Sequence, residues 1–414
     1  MRGIDAMSDT KMIEEDKQAV YSGDHCLSCT SCMANCPVMA ASLEYRGPKL
    51  VAPAHGRMHF SQDDYEDSLD FCSNCKSCDR ACPSGVAVST LNMLMRGEYY
   101  RHHPHSKRDD MLAHGERMAK LVSAIPFGST FANLGTKVSG ALGVLSAMGI
   151  AGQRSMPSYA SKTFYRQFKD IKQPKSDKKV LFYPGCSINY NEPHIGIAFV
   201  KVMNHNGYEV LVDEGMNCCG SPLVVTGYLD EAKEHADNNV SRILKWKEQG
   251  IPVVVCCTSC SLMLRAEYAE LFGEQRMEDA AENIYDAFEF LEELMSKGEL
   301  KTDFKRVDKK LIYHVPCHLK TQGIGTPAVS VLKQVPGVEV ELADAGCCGI
   351  SGNYGFKKEK YDISMKIGEK LFERIKESTA DDVICDCPTC RMQIKHGTQT
   401  DPCHPIEILE EAYR

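Results

Sequence analysis

Twenty-one of the 414 residues are cysteine, and eight of them fall into two matching runs. Cys26, Cys29, Cys32 and Cys36 precede Pro37; Cys72, Cys75, Cys78 and Cys82 precede Pro83. Each run reads C-x2-C-x2-C-x3-C-P, a spacing that holds 4Fe–4S cubes. Three thiolates on a short winding loop reach three corners of one cube, and the fourth, a helical turn later, reaches the other cube. On that rule Cys26, Cys29, Cys32 and Cys82 hold one cluster, and Cys72, Cys75, Cys78 and Cys36 hold the second. CxxC is also a zinc spacing, but two such dense runs, each with its proline, favour iron–sulfur.

The remaining cysteines repeat. KKVLFYPGC, ending at Cys186, matches KKLIYHVPC, ending at Cys317. NCCG (Cys218, Cys219) matches GCCG (Cys347, Cys348), and VVVCCTSC (Cys257, Cys260) matches VICDCPTC (Cys387, Cys390). FEFLEE at 288–293 echoes IEILEE at 406–411, so the half after residue 177 is two copies of one unit. Five converging cysteines per copy suit a metal cluster; redox-active thiols and plain packing are the alternatives. Gly220 and Gly349 are expected to let the backbone approach a bulky inorganic core. Cys256, Cys385 and Cys403 fall outside both sets and read as spectators.

The elements that position these residues are legible in part. VLFY (180–183), YEVLV (208–212) and PVVVCC (252–257) read as buried strands. Ile195, Phe199, Val202 and Met203 recur at helical spacing before Gly207, and a polar helix is expected near 229–248, ending before Gly250. Alternating strands and helices argue for an open α/β layer. Ligands of such sheets sit beyond the strand carboxyl ends, where Cys186, Cys257, Cys260, Cys317, Cys387 and Cys390 fall. STLNMLMRGEYY (89–100) looks helical, with Leu91, Leu94 and Met95 on one face, so the two-run domain is expected to be helical rather than β-rich.

The patterns C-x31-CCG…CC-x2-C and C-x29-CCG…CxC-x2-C resemble the CCG-domain family. It includes a heterodisulfide reductase subunit and the iron–sulfur subunits of glycolate, lactate and glycerol-3-phosphate oxidation. A helical two-cluster ferredoxin domain ahead of two tandem α/β CCG repeats is similar in order and length to the last group; YPGCSINYNEP and NCCGSPL carry much of the likeness. The resemblance implies a non-cubane 4Fe–4S cluster on Cys186, Cys218, Cys219, Cys257 and Cys260, and another on Cys317, Cys347, Cys348, Cys387 and Cys390. It implies an electron-transfer subunit that takes electrons from a flavin-containing dehydrogenase subunit and passes them to menaquinone on the inner face of the cytoplasmic membrane. Oxidation of sn-glycerol 3-phosphate would occur on the partner. A glycolate or lactate oxidase subunit, or a disulfide reductase subunit, is the alternative within the same likeness.

The expected domains are 1–105 (ferredoxin type), 106–176 (connecting), 177–300 and 301–414 (the repeats). Residues 121–153 carry one charge, Lys137, and Val138, Leu142, Leu145, Met148 and Ile150 form an apolar face. Arg154 to Lys179 then holds eight Lys or Arg against Asp170 and Asp177. An apolar face beside a basic stretch suits an anionic membrane surface; a hairpin buried between domains would read the same way. His102, His103 and His105 form a short tract, and His25, His314, His318 and His404 lie near cysteines. Most are expected to be hydrogen-bonded or on the surface, though one could give a quinone its proton.

Composition limits the rest. With 43% hydrophobic and 25% charged residues the chain is globular. An odd cysteine count at this length argues against a disulfide scaffold. MRGIDAMSDTKMIEEDKQ has no apolar core of a signal peptide, so a reducing cytoplasm is expected. A net charge of −8 does not suggest a nucleic-acid partner. No GxGxxG or P-loop fingerprint and no serine elbow is present, so no nucleotide or flavin site is expected.

Overall fold

A computed structural model describes residues 25–55, 65–154 and 156–414. The expected lack of a signal peptide and parts of the first domain (1–24 and 56–64) lie outside the described residues. The two cysteine runs share one backbone path. Ser28 and Thr30 in the first, and Asn74 and Lys76 in the second, all adopt left-handed φ between 50° and 65°. These bends wind each loop back on itself and gather its successive cysteines. A one-turn helix follows each, Ser31–Ala34 and Ser77–Arg80. The rest of this part is helical, dominated by α1 (Val88–His102), which buries Leu91 and Met95.

Next come α2 (Gly115–Ala124) and α3 (Gly128–Ala141). Of thirteen large hydrophobic side chains exposed among the described residues, ten lie between Met118 and Met148. The segment is therefore an exposed ridge, and the buried-hairpin alternative does not hold. Two expectations need correction here. Ile150 is fully buried and bridges to Lys357, so it does not belong to the apolar face. Arg154 is buried as well: Nε donates to the Gly355 carbonyl at 2.7 Å and Nη1 to Gln393 Oε1 at 2.5 Å. It pins the connection to the second repeat and offers nothing to a lipid surface.

Repeat 1 is a parallel sheet in the order β2-β1-β3-β4. Its strands are β1 (Lys179–Tyr183), β2 (Glu209–Leu211), β3 (Val253–Val255) and β4 (Ile284–Asp286). Helices α4 (Pro193–His205), α5 (Leu229–Glu248) and α6 (Ala287–Ser296) alternate with them. Repeat 2 has the order β6-β5-β7, also parallel, from β5 (Lys309–Tyr313), β6 (Val338–Leu342) and β7 (Asp382–Ile384). Its main helices are α7 (Tyr361–Glu377) and α8 (Pro405–Ala412). Its counterpart of β4 is reduced to a single bridge, Ile384 to Cys403.

The repeats pack reciprocally. Helix α4, first in repeat 1, lies on α8, last in repeat 2; α6, last in repeat 1, lies on Pro327–Leu332 near the start of repeat 2. Phe199, Val202, Phe288, Leu291, Leu332, Ile406 and Leu409 meet in one core. Each such side chain contributes roughly 1.5–3 kcal/mol on burial. The echo of FEFLEE in IEILEE is thus the sequence trace of a pseudo-twofold interface.

Candidate metal centres

The winding loops bring the eight N-terminal cysteines into two groups. Burial raises the Cys32 thiol, and the nearby charges of Cys26, Cys82 and Cys29 raise it further. Cys36 is pushed up to about 12 by burial, with Cys75 and Cys72 as its sulfur neighbours. Cys36, Cys72, Cys75 and Cys78 line one small cavity. The fourth cysteine of each run therefore lies with the first three of the other. Arg96, buried on α1, fixes the second loop by donating to the carbonyls of Cys72 (2.9 Å), Leu69 (2.8 Å) and Val225 (2.6 Å). Asn92 Nδ2 reaches Cys72 Sγ at 3.5 Å and the Val86 amide reaches Cys82 Sγ at 3.3 Å. Such contacts tune a cluster's potential.

Each repeat collects its own five. In repeat 1 the Cys186 and Cys218 sulfurs are 3.7 Å apart, and Cys260 neighbours Cys219 and Cys257. In repeat 2 the Cys348 and Cys390 sulfurs are 3.2 Å apart, Cys317 neighbours Cys347, and Cys390 neighbours Cys387. Cys186 and Cys257 follow β1 and β3, and Cys317 and Cys387 follow β5 and β7, at the carboxyl ends of the parallel strands. Tyr268 donates to the Cys219 carbonyl at 2.9 Å, and Asn239 Oδ1 accepts from the Asn217 amide at 2.8 Å. These contacts hold the CCG turn of repeat 1 rigid.

The donor chemistry fits iron–sulfur clusters. All 21 cysteines are free thiols. Interactions with adjacent sulfurs and burial hold Cys186, Cys260, Cys317 and Cys390 well above the ordinary thiol range. Neutral thiols packed sulfur to sulfur become thiolates on binding a metal, and an all-sulfur set selects iron–sulfur or zinc.

The sites adjoin. His318 Nε2 donates to the Asn74 carbonyl at 3.1 Å, and its Nδ1 lies 2.9 Å from Ser259 Oγ. One imidazole thus ties the 72–78, 257–260 and 317–318 loops together. Arg80 Nη1 donates to the Cys317 carbonyl at 3.2 Å. Burial, followed by the charge of Cys317, pushes Cys75 up to about 11.

A family model described as a 4Fe-4S dicluster domain matches residues 22–86, and one described as a cysteine-rich domain matches 180–265 and 311–395. The chain is 34% identical over 396 residues to the C subunit of the anaerobic glycerol-3-phosphate dehydrogenase of Escherichia coli, covering 94% of this chain and 98% of the relative. The chain belongs to the family of that dehydrogenase's C subunit. It is also 27% identical to the B subunit of a fumarate reductase (CoM/CoB) from Methanothermobacter marburgensis, over 95% of this chain and 72% of that one. The D subunit of a dihydromethanophenazine:CoB–CoM heterodisulfide reductase from Methanosarcina acetivorans is 26% identical, over 90% and 88%.

Within this family's architecture several side chains escape a reading of sequence. Glu116 on α2 accepts from the Cys218 amide at 3.3 Å, so the connecting segment reaches the repeat 1 cysteines. Lys76 lies 3.1 Å from Glu267 and 3.0 Å from Glu270, joining the second cysteine loop to repeat 1. No motif marks these contacts across the chain. The glycines after the cysteine pairs also face their own helices. A Cβ on Gly349 would meet the Ser364 carbonyl oxygen of α7 at 2.1 Å, and one on Gly220 would meet Ala232 of α5 at 3.7 Å. Helix packing excludes a side chain only at Gly349; both glycines adopt left-handed φ, and the Gly349 amide donates to Cys347 Sγ at 3.3 Å. Gly185 also brings backbone close to sulfur, since its Cβ would lie 3.1 Å from Cys260 Sγ. Cys256 points into the inter-repeat core and Cys403 pairs by its backbone with β7, as spectators would. Cys385 is fully buried beside Cys390.

Proposed function

We propose that this chain is the iron–sulfur electron-transfer subunit of an anaerobic glycerol-3-phosphate dehydrogenase complex, taking electrons from a flavin-containing partner and delivering them to menaquinone. The observation that carries this reading is the junction at His318, where the second ferredoxin loop meets both repeats. Cys26, Cys29, Cys32 and Cys82 would hold one cube and Cys72, Cys75, Cys78 and Cys36 the other. Cys186, Cys218, Cys219, Cys257 and Cys260 would hold the repeat 1 centre, and Cys317, Cys347, Cys348, Cys387 and Cys390 that of repeat 2. Such clusters, when bound, supply one-electron steps that divide the pair delivered by a flavin. The chain contributes thiolate ligation, dry burial and hydrogen bonds to sulfur, which set the potentials.

Two further features support a lipid-soluble acceptor. A cavity of about 410 Å³ adjoins repeat 2, lined in part by His314, Val315, Lys320, Thr326 and Leu342. That volume falls within the range of small-molecule sites, about 300–1,000 Å³. The ridge on α2 and α3 exposes Phe127, Phe131 and Leu134, while Lys162, Arg166, Lys172 and Lys175 are exposed nearby in sequence. Among the described residues no helix is long and apolar enough to cross a membrane. The reading is therefore peripheral docking on the inner face of the cytoplasmic membrane.

The test uses the full chain purified without oxygen and reduced chemically. Return of cluster absorbance on adding a menaquinone analogue, with no response to a small organic disulfide, is the expected result. Reoxidation by the disulfide alone would replace this reading with a disulfide reductase.

A further inference from the structure

The two repeats align around the ends of their paired strands, and they differ there at a pair of neighbouring residues that face the cysteines. In repeat 1 the pair is Tyr183 and Val255, opposite one another on β1 and β3. Tyr183 lies beside Cys218, Cys219 and Cys260, and its hydroxyl is satisfied by donating to the Asn217 carbonyl at 2.7 Å. In repeat 2 the same places, three residues before Cys317 and two before Cys387, hold His314 and Cys385. The His314 amide donates to the Ile384 carbonyl at 3.1 Å, extending the β5–β7 pairing so that His314 stands beside Cys385. An aromatic–aliphatic pair has become two residues of metal-binding type.

The His314 side chain has not been absorbed by the fold. It is 2% exposed, and its Nε2 is buried with no hydrogen-bond partner. A ring nitrogen and the sulfurs of Cys348 and Cys390 all lie within 4.8 Å of one another. A buried polar atom left unpaired costs about 1–3 kcal/mol, and the ring that carries this one sits beside a cysteine group.

We propose that His314 is a ligand of the iron–sulfur centre of repeat 2, so that the two repeats hold inequivalent centres. This rests on the reading that the repeat 2 cysteines bind iron. A neutral imidazole adds a nitrogen donor without adding a negative charge, and imidazole ligation accompanies raised potentials in other iron–sulfur centres. Repeat 2, which adjoins the second ferredoxin loop and the 410 Å³ cavity, would then be the more easily reduced of the two.

The experiment uses the full-length chain purified without oxygen after growth on ¹⁵N-histidine, with pulsed electron paramagnetic resonance of its paramagnetic states and iron analysis alongside. The expected result is a ¹⁵N coupling of direct-bond size that is lost in His314→Tyr, which installs the repeat 1 residue, and in His314→Gln, which preserves a polar side chain of moderate size. Tyr183→Phe should leave the coupling unchanged. Absence of a histidine coupling in the unaltered chain, a coupling only of hydrogen-bond size, or one that survives both His314 variants overturns the proposal. Failure of the underlying reading shows separately: Cys348→Ser would then leave the iron content unchanged.

Discussion

Cys82 sits in one cysteine run and lies with the other, and that crossing makes a sharp demand on mutants. Cys82→Ser should remove the cube otherwise held by Cys26, Cys29 and Cys32, while sparing the one held by its own sequence neighbours. About four irons should be lost, and the surviving cubane signal should be the one perturbed by Asn92→Leu, because Asn92 touches Cys72 Sγ. If Cys82→Ser instead destroys the Cys72 centre, the crossed assignment fails. Cys403 is the matching control. Its backbone amide and carbonyl complete the pairing with Val383 and Cys385 at 3.0 Å each, so Cys403→Ser should keep both pairing and iron. Iron analysis of the two purified variants decides the matter.

At the scale of elements, the glycines and the buried ion pairs carry the joints. Gly349 has φ of +91° and no room for a methyl group against the Ser364 carbonyl. Gly349→Ala should therefore cost more than about 2 kcal/mol from backbone strain and overpacking combined. Gly220→Ala, with φ of +83° but only ordinary contact to α5, should cost about 1 kcal/mol. Thermal unfolding of the two variants side by side checks the ordering. The joint between the second cysteine loop and repeat 1 is sensitive to acid. Burial alone would raise the Glu267 carboxyl, but Lys76 and His318 hold it below the ordinary range. Its folded pKa is depressed, so its stabilising contribution is complete above the unfolded value near 4.5 and is lost as pH falls through the folded one. Hydrogen exchange in the 72–78 loop should rise on acidification below about pH 4. Lys76→Met, which strands a buried carboxylate, should produce the same loosening at neutral pH, at about 3–5 kcal/mol.

The same scale shows why some of this was readable beforehand and some was not. The strand at 180–183, the helix at 229–248 and the five-cysteine sets are local patterns, fixed by runs of apolar residues and by ligand spacing. The close approach of Gly349 to Ser364 is not legible, because Ser364 belongs to a helix whose packing no spacing rule predicts. Lys76, Glu116 and Arg154 each find a partner more than 100 residues away, and a charge run in sequence does not reveal which of its members turns inward.

For the whole molecule the question is which surface the ridge serves. A protein that buries most of its cysteines yet leaves Phe131 at 69% and Leu134 at 59% exposure on one helix keeps an apolar face for something outside the chain. Burying each of those side chains is worth roughly 1.5–3 kcal/mol, so replacing both with glutamate should weaken a membrane association more than tenfold, with like-charge repulsion from anionic lipid adding to the loss. Flotation with vesicles containing anionic lipid should show the unaltered chain bound and Phe131→Glu/Leu134→Glu free. Iron content and reduction by a soluble dye should stay the same, because neither residue contacts a cysteine loop. Lys162, Arg166, Lys172 and Lys175 carry no ion pair among the described residues, so raised salt should weaken binding of the unaltered chain in the same assay. If the double variant still floats with the vesicles, the ridge faces a partner subunit instead. Co-purification of a partner subunit, rather than vesicle binding, should then be what the double variant loses.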